Sequence, residues 1–364
     1  MARRLRALAA GALLAGCAGA GGTGPAGPAP AAPYAYVTNQ DGASVSVIDL
    51  DRRALVATVD LRALGFSAGA RPHHVVVEPG GRHWYLSLIG ESRVLKLDRA
   101  NRLLAQVPFE TPGLLALHPD GERLLAARSM TAVSPPRSVG VLRRADLAVE
   151  TFEVVFPRPH ALAVHPRGTT AYTASLAVNQ TAVLDLEAET ARVFEVSIGG
   201  DSVPADPSHA DHPMTLGHYA ISPDGRWLVL TAERAGRALV FDLIDPMRPR
   251  QVASVRVGAR PWQPAFTPDG RQVYVPVKGD DAVVVLDVPG WTVAGTIRGD
   301  GISEPDNAAV SPDGRTVVVS NNNTRGLGGR QTGTVVLIDA ATGAVARVIE
   351  VGRNPTGVGT PAPR

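Results

Sequence analysis

Apolar residues along this chain come in short runs of about six, each closed by a cluster of Pro, Asp, Asn and Gly. The stretch 258–299 shows the pattern most clearly, with runs at 262–266, 272–277, 282–287 and 292–297. Pro268-Asp269-Gly270 separates the first two. Proline sets φ at the first corner of such a turn, aspartate bonds the backbone, and glycine takes the left-handed position. Gly279-Asp280-Asp281 and Pro289-Gly290 supply the other two turns. Runs of this length joined by tight turns predict a four-stranded antiparallel sheet. Such a sheet is marginal alone, because each face needs a neighbour to cover it.

The chain meets that need by repetition. The turn recurs at Pro79, Pro119, Pro166, Pro223, Pro268 and Pro312, with spacings from 40 to 57 residues. An aspartate closes the third run of most units: Asp49, Asp98, Asp185, Asp242, Asp287 and Asp339. Only the unit near 139–146 departs, with Arg143-Arg144 there. The stretch 34–60 holds three runs, and the missing fourth stands at the other end of the chain, at 354–359. Six full units and one split unit predict an all-β, seven-bladed β-propeller of four-stranded antiparallel blades over 34–364. Pairing of the N- and C-terminal strands would close the ring and leave no blade edge open.

Tyr36-Val37-Thr38-Asn39 and the repeated Val-Gly-x-x-Pro, (Ser/Thr)-Pro-Asp-Gly and Val-x-Val-x-Asp elements resemble the YVTN-repeat β-propeller family over 34–359. The resemblance implies the same fold. It bears loosely on function, since that family mixes binding proteins, surface proteins, cofactor-associated proteins and enzymes. It also implies an association with periplasmic redox systems or metal handling.

Composition agrees with a turn-rich β protein, with 38 Gly, 30 Pro and only 5% aromatic residues in 364. The net charge of +2, with no basic run beyond Arg3, Arg4 and Arg6, argues against a nucleic-acid partner. The single cysteine, Cys17, follows a basic start and an apolar stretch at 7–14. That stretch is too short for a membrane span, which needs about 20 residues, and reads as an export signal. Leu14-Ala15-Gly16-Cys17 resembles the lipobox of bacterial lipoproteins. The resemblance implies a signal peptide at 1–16, lipidation of Cys17 and, with Ala18 next, sorting to the outer membrane, facing the periplasm. An ordinary signal peptide with a chance cysteine is the alternative. Residues 17–33 are mostly Ala, Gly and Pro and predict a flexible tether. A monomer held to the membrane by lipid alone is expected.

Aligning the units on the turn proline brings one pair per unit into register. The pairs are His73-His74, Gly113-Leu114, His160-Ala161, Gly217-His218, Trp262-Gln263, Asp306-Asn307 and Thr356-Gly357. In a propeller these positions ring one mouth of the central channel. His73, His74, His160, His218, Trp262, Gln263, Asp306 and Asn307 are therefore the candidate binding residues for a small ligand or an envelope protein partner. The plainer alternative is a wet mouth whose polar residues only satisfy loop carbonyls. An insertion at 199–214 adds His209, His212 and Met214 near His218. Imidazole and thioether donors together suit copper, and haem is a further candidate. No zinc-like spacing occurs. Arg71, Arg158, Arg260 and Arg353 stand just before the ring, and loops at 128–137 and 321–333 are expected on the same face. His118 and His165 fall in the turns of the opposite face and read as structural. Trp84, Trp227 and Trp291 read as strand residues packed between blades.

Catalytic motifs are sparse. No nucleophile elbow or phosphate loop appears, and no catalytic residue is assigned. Arg71-Pro72-His73-His74 and Arg158-Pro159-His160 resemble the Gly-Pro-Arg-His motif of propeller lactonases, with Arg and Pro transposed. The sequence thus predicts an envelope binding protein. A copper- or haem-binding protein and a lactonase-like hydrolase are the alternatives.

Overall fold

The computed structural model describes residues 33–198, 214–326, 329 and 331–361. The signal, Cys17 and the tether lie outside the described residues, as do His209 and His212. The described chain forms seven four-stranded antiparallel sheets arranged as a propeller. In blade 1 the inner strand Pro355–Gly359 comes from the C-terminus and pairs with Tyr34–Asn39, followed outward by Ser44–Asp49 and Ala54–Asp60. The join registers Tyr36 with Gly359 and Val37 with Val358. The expected closure is therefore present. Blades 2 to 7 follow in chain order, with inner strands Pro72–Val77, Pro112–Leu117, Pro159–Val164, Leu216–Ile221, Ala265–Phe266 and Pro305–Val310.

Both faces of a blade are covered, which explains why the strands read as continuous apolar runs rather than as alternation. In blade 2, Trp84, Leu86 and Leu88 pack toward blade 1 against Tyr36, Val45 and Val47. Tyr85 and Val94 pack toward blade 3 against Leu115, Leu124 and Ala126. Trp84 is fully buried and stacks on Tyr36 at 4.8 Å. Trp227 and Trp291 meet edge to face at 5.3 Å. Trp291 sits in the turn ahead of the outer strand Val293–Ile297, at φ 52°, rather than in the strand expected for it.

The turn-bearing face is stapled by the turn residues. Ser222, Thr267 and Ser311 each bond the aspartate two residues on, and the turn glycines are left-handed, as at Gly225 and Gly270. His118 and His165 bridge blades instead. Nε2 of His118 donates to Gly168 O at 2.5 Å, and Nε2 of His165 to Gly225 O at 3.0 Å. The Arg143-Arg144 departure has a similar cause. Arg143 pairs with Asp146, which caps the turn in place of the usual aspartate. Arg144 crosses to blade 2, where it pairs with Glu78 and donates to Tyr85 Oη at 3.2 Å.

Candidate functional site

Each inner strand starts the same way on the opposite, ring-bearing face. The residue before it, or in blade 6 the residue before the isolated bridge at Pro261, is left-handed without being glycine: Arg71, Thr111, Arg158, Thr215, Arg260, Glu304 and Asn354 all have φ between 41° and 57°. Its carbonyl accepts a bond from the residue just past the second strand, as in Ile89 N to Arg71 O and Leu176 N to Arg158 O. A register shift follows in most blades, for example between Pro72 and Val75 and between Leu216 and Tyr219. Such bulges re-aim side chains. Here the shifted residues are the predicted ring pairs. A hydroxyl on the second strand takes the N–H that the bulge frees: Ser87 for His74, Thr231 for His218 and Ser320 for Asn307.

The ring residues come together, and they are more enclosed than an open mouth would leave them. His74, His160, His218, Asp306 and Asn307 are buried, while His73, Trp262 and Gln263 are half-buried. The rings of His160 and His218 meet edge to face at 5.7 Å, and His218 lies 5.0 Å from Trp262. Lys278 Nζ sits 4.8 Å from the Trp262 ring and pairs with Asp306 at 2.8 Å. In blade 6 the inner strand shrinks to Ala265–Phe266. Pro261 and Pro264 remove two ladder donors, and Gln263 bridges instead to Asn307 of the next blade.

The backbone decides which imidazole nitrogens are free. Nδ1 of His160 lies 2.8 Å from the Arg128 carbonyl, which can only accept, so the proton is on Nδ1 and Nε2 is a bare acceptor. His73 Nδ1 donates to Gln40 Oε1 at 2.9 Å, leaving its Nε2 as an acceptor too. His74 accepts from Leu115 N at Nδ1. His73 Nε2, His160 Nε2, His218 Nδ1 and Gln263 Oε1 are shielded from solvent and have no hydrogen-bond partner. Unpaired buried polar atoms are uncommon and call for an explanation.

Burial holds all four imidazoles neutral. It lowers His73 to about 4, with Arg71 and Lys278 adding to the effect. It lowers His160 to about 4, against the opposing bond to Arg128 O. His74 falls to about 3, by burial and then by His73 and His160, while a longer interaction with the Gln263 amide works the other way. His218 falls well below the usual imidazole range, by burial and then by His160, His73 and His74. The mutual influence shows that four histidines from three blades share one small volume.

The remaining candidates separate. Met214 is buried in the apolar core between blades 4 and 5. Among the described residues, no three His, Cys, Asp or Glu side chains form a group that could hold a metal. Arg260 pairs with Glu233, Arg158 donates to Met130 O, and Arg353 donates to Asp41 O. A cavity of about 1050 Å³ lies on the turn face, lined by Asp269, Asp287, Asp313, Arg271 and Arg315. It holds none of the ring residues. Sequence reasoning missed a second tier: Gln40, Lys278 and Asn322 each follow a second strand and reach the next blade's ring segment, at His73, Asp306 and Pro355 O. Their shared position one residue past that strand was a usable signal.

No protein-family profile matches the chain, and no curated protein matches it, so membership of the YVTN-repeat family is not confirmed. Solved structures do match. The periplasmic gluconolactonase of Pseudomonas aeruginosa superposes with a TM-score of 0.65 at 24% identity, covering 90% of this chain and 98% of that one. A proposed 6-phosphogluconolactonase of Bacteroides fragilis gives 0.65 at 15%, with the same coverages of 90% and 98%. A protein of unknown function from Desulfotomaculum acetoxidans gives 0.69 at 12%, covering 92% and 100%. The chain has the β-propeller fold. At these identities the likeness extends to fold alone.

Proposed function

We propose that the protein binds a small, hydroxyl-rich ligand at the histidine-lined end of its channel. One observation carries the reading: His73 Nε2 and His160 Nε2 are buried lone-pair acceptors with no donor facing them. Two ligand hydroxyls, one to each nitrogen, would satisfy them, and leaving them unpaired costs about 1–3 kcal/mol each. Neutral imidazoles accept from hydroxyls without attracting protons from bulk water. Calorimetric titration with glucono-1,5-lactone, gluconate and simple polyols tests this. Binding by the wild type, weakened at least tenfold in His160→Phe with an unchanged circular dichroism spectrum, is expected. Absence of binding across that panel, or equal binding by the variant, overturns it.

Lactone hydrolysis is the second reading. It is favoured by the neutral His160 Nε2, which can take a proton from an attacking water, and by the two lactonase-named structural neighbours. With His160 near 4, kcat/KM on glucono-1,5-lactone should stay level from pH 8 to about 5.5 and fall toward pH 4. No turnover above the uncatalysed rate in a pH-stat sinks this reading. The setting proposed for either role is the bacterial envelope, with a monomer tethered through a lipid on Cys17 and working beside an envelope partner.

A further inference from the structure

We infer that Arg128 is the anchor of a separate oxyanion subsite, for a carboxylate or a phosphate group, at the ring-face end of the gap between blades 2 and 3. Arg128 ends the second strand of blade 3, Arg123–Arg128, and is 8% exposed. Its Nε and Nη1 are both shielded from solvent and have no hydrogen-bond partner. Its guanidinium carbon lies 3.7 Å from the centre of the Phe109 ring. Stacking of this kind covers the flat face of the fork and leaves its edge for in-plane bonding. Burial lowers the pKa of Arg128, and the charge of Glu110 works the other way.

Four other cations of this face are satisfied differently, while Arg71 has only a single shielded, unpartnered nitrogen, its Nε. Lys278 has Asp306, Arg260 has Glu233, Arg325 has Asp281, and Arg158 has the Met130 carbonyl. A buried arginine without a partner is strongly unfavourable. A long side chain that merely reached for water would expose its polar end, and two of the three nitrogens here are covered. The planar fork matches the two oxygens of a carboxylate or phosphate. The subsite borders the ring through the backbone, because the Arg128 carbonyl holds His160 Nδ1. It does not depend on the ring having a ligand.

The test is titration of the full chain with inorganic phosphate, and separately with acetate, at constant ionic strength against chloride. Melting temperature and calorimetry are read together. At least one oxyanion should bind and raise the melting temperature above the chloride control. Affinity should drop about tenfold in Arg128→Lys, which keeps charge but loses the fork, and vanish in Arg128→Met. Arg128→Met should also be at least as stable as the wild type without anion. No effect of either oxyanion beyond chloride overturns the assignment, as does equal affinity in Arg128→Met. If Arg128→Met does not fold, equal affinity in Arg128→Lys overturns it. Gluconate that displaces phosphate from the wild type but not from His160→Phe identifies the anion as one arm of a ring ligand. Phosphate binding indifferent to both identifies a free inorganic anion.

Discussion

His160 keeps its proton on Nδ1 because a carbonyl stands there, and that carbonyl is present because of Gly113. A Cβ at Gly113 would lie 2.6 Å from both C and O of Arg128, closer than side-chain carbons pack. Gly113→Ala should therefore push the end of that strand back, at about 1–3 kcal/mol, and free His160 Nδ1. Loss of the single-tautomer signature of His160 in nitrogen-15 NMR would register the change; an unaltered spectrum would count against it. The histidines also couple stability to pH. In the unfolded chain an imidazole titrates near 6.5, whereas His73 and His160 titrate near 4 and His74 near 3 in the fold. The folded state thus takes up protons less readily than the unfolded one. This contribution is fully present above about pH 6.5 and is lost as pH falls toward 4, at about 1.4 kcal/mol per pKa unit. Urea midpoints should fall between pH 7 and 4, and His73→Gln with His160→Gln should flatten the slope. The histidine register was legible from spacing alone. Which nitrogens are free was not, since the groups that occupy the others, Arg128 O, Gln40 and Leu115 N, stand 32, 33 and 41 residues away.

At the level of the element, each blade carries one shared device: a left-handed residue, a carbonyl bond to the neighbouring strand, and in most blades a bulge. The Arg-Pro and Asn-Pro steps at Arg71, Arg158, Arg260 and Asn354 marked it in the sequence, but only asparagine favours positive φ and arginine does not. Blade 3 shows how an exception is absorbed. Asp146 takes over its missing corner aspartate, and Arg144 is freed to reach Glu78 and Tyr85 in blade 2. Arg144→Met alone would leave the buried Glu78 carboxylate with only Tyr85 and His83 as partners, at about 1–3 kcal/mol. Arg144→Met with Glu78→Leu should recover much of that loss in a urea-denaturation cycle. Additive losses would show that the two groups are not coupled.

For the whole molecule, closure is the decisive contact. Residues 355–359 supply the inner strand of a sheet whose other strands begin at Tyr34. A chain truncated after Arg353 should lose its single cooperative thermal transition, because blade 1 would keep three strands and expose an unpaired edge. An unchanged melting curve would refute this. The membrane tether is tested separately: labelled palmitate should enter the wild type in a lipoprotein-processing host and should not enter Cys17→Ala.

The sequence alone determined the number of blades, their order and the split unit, because turn chemistry and run length are local properties repeated from blade to blade. It also determined which residues share a ring, because register is a count. It took the packed fold to show that the ring is enclosed, that its histidines are neutral, that two Arg128 nitrogens are unpaired and that Met214 belongs to the core. Those properties depend on which side chains and carbonyls from distant segments meet. Burial and hydrogen-bond satisfaction belong to the packed whole and are not carried by any single repeat.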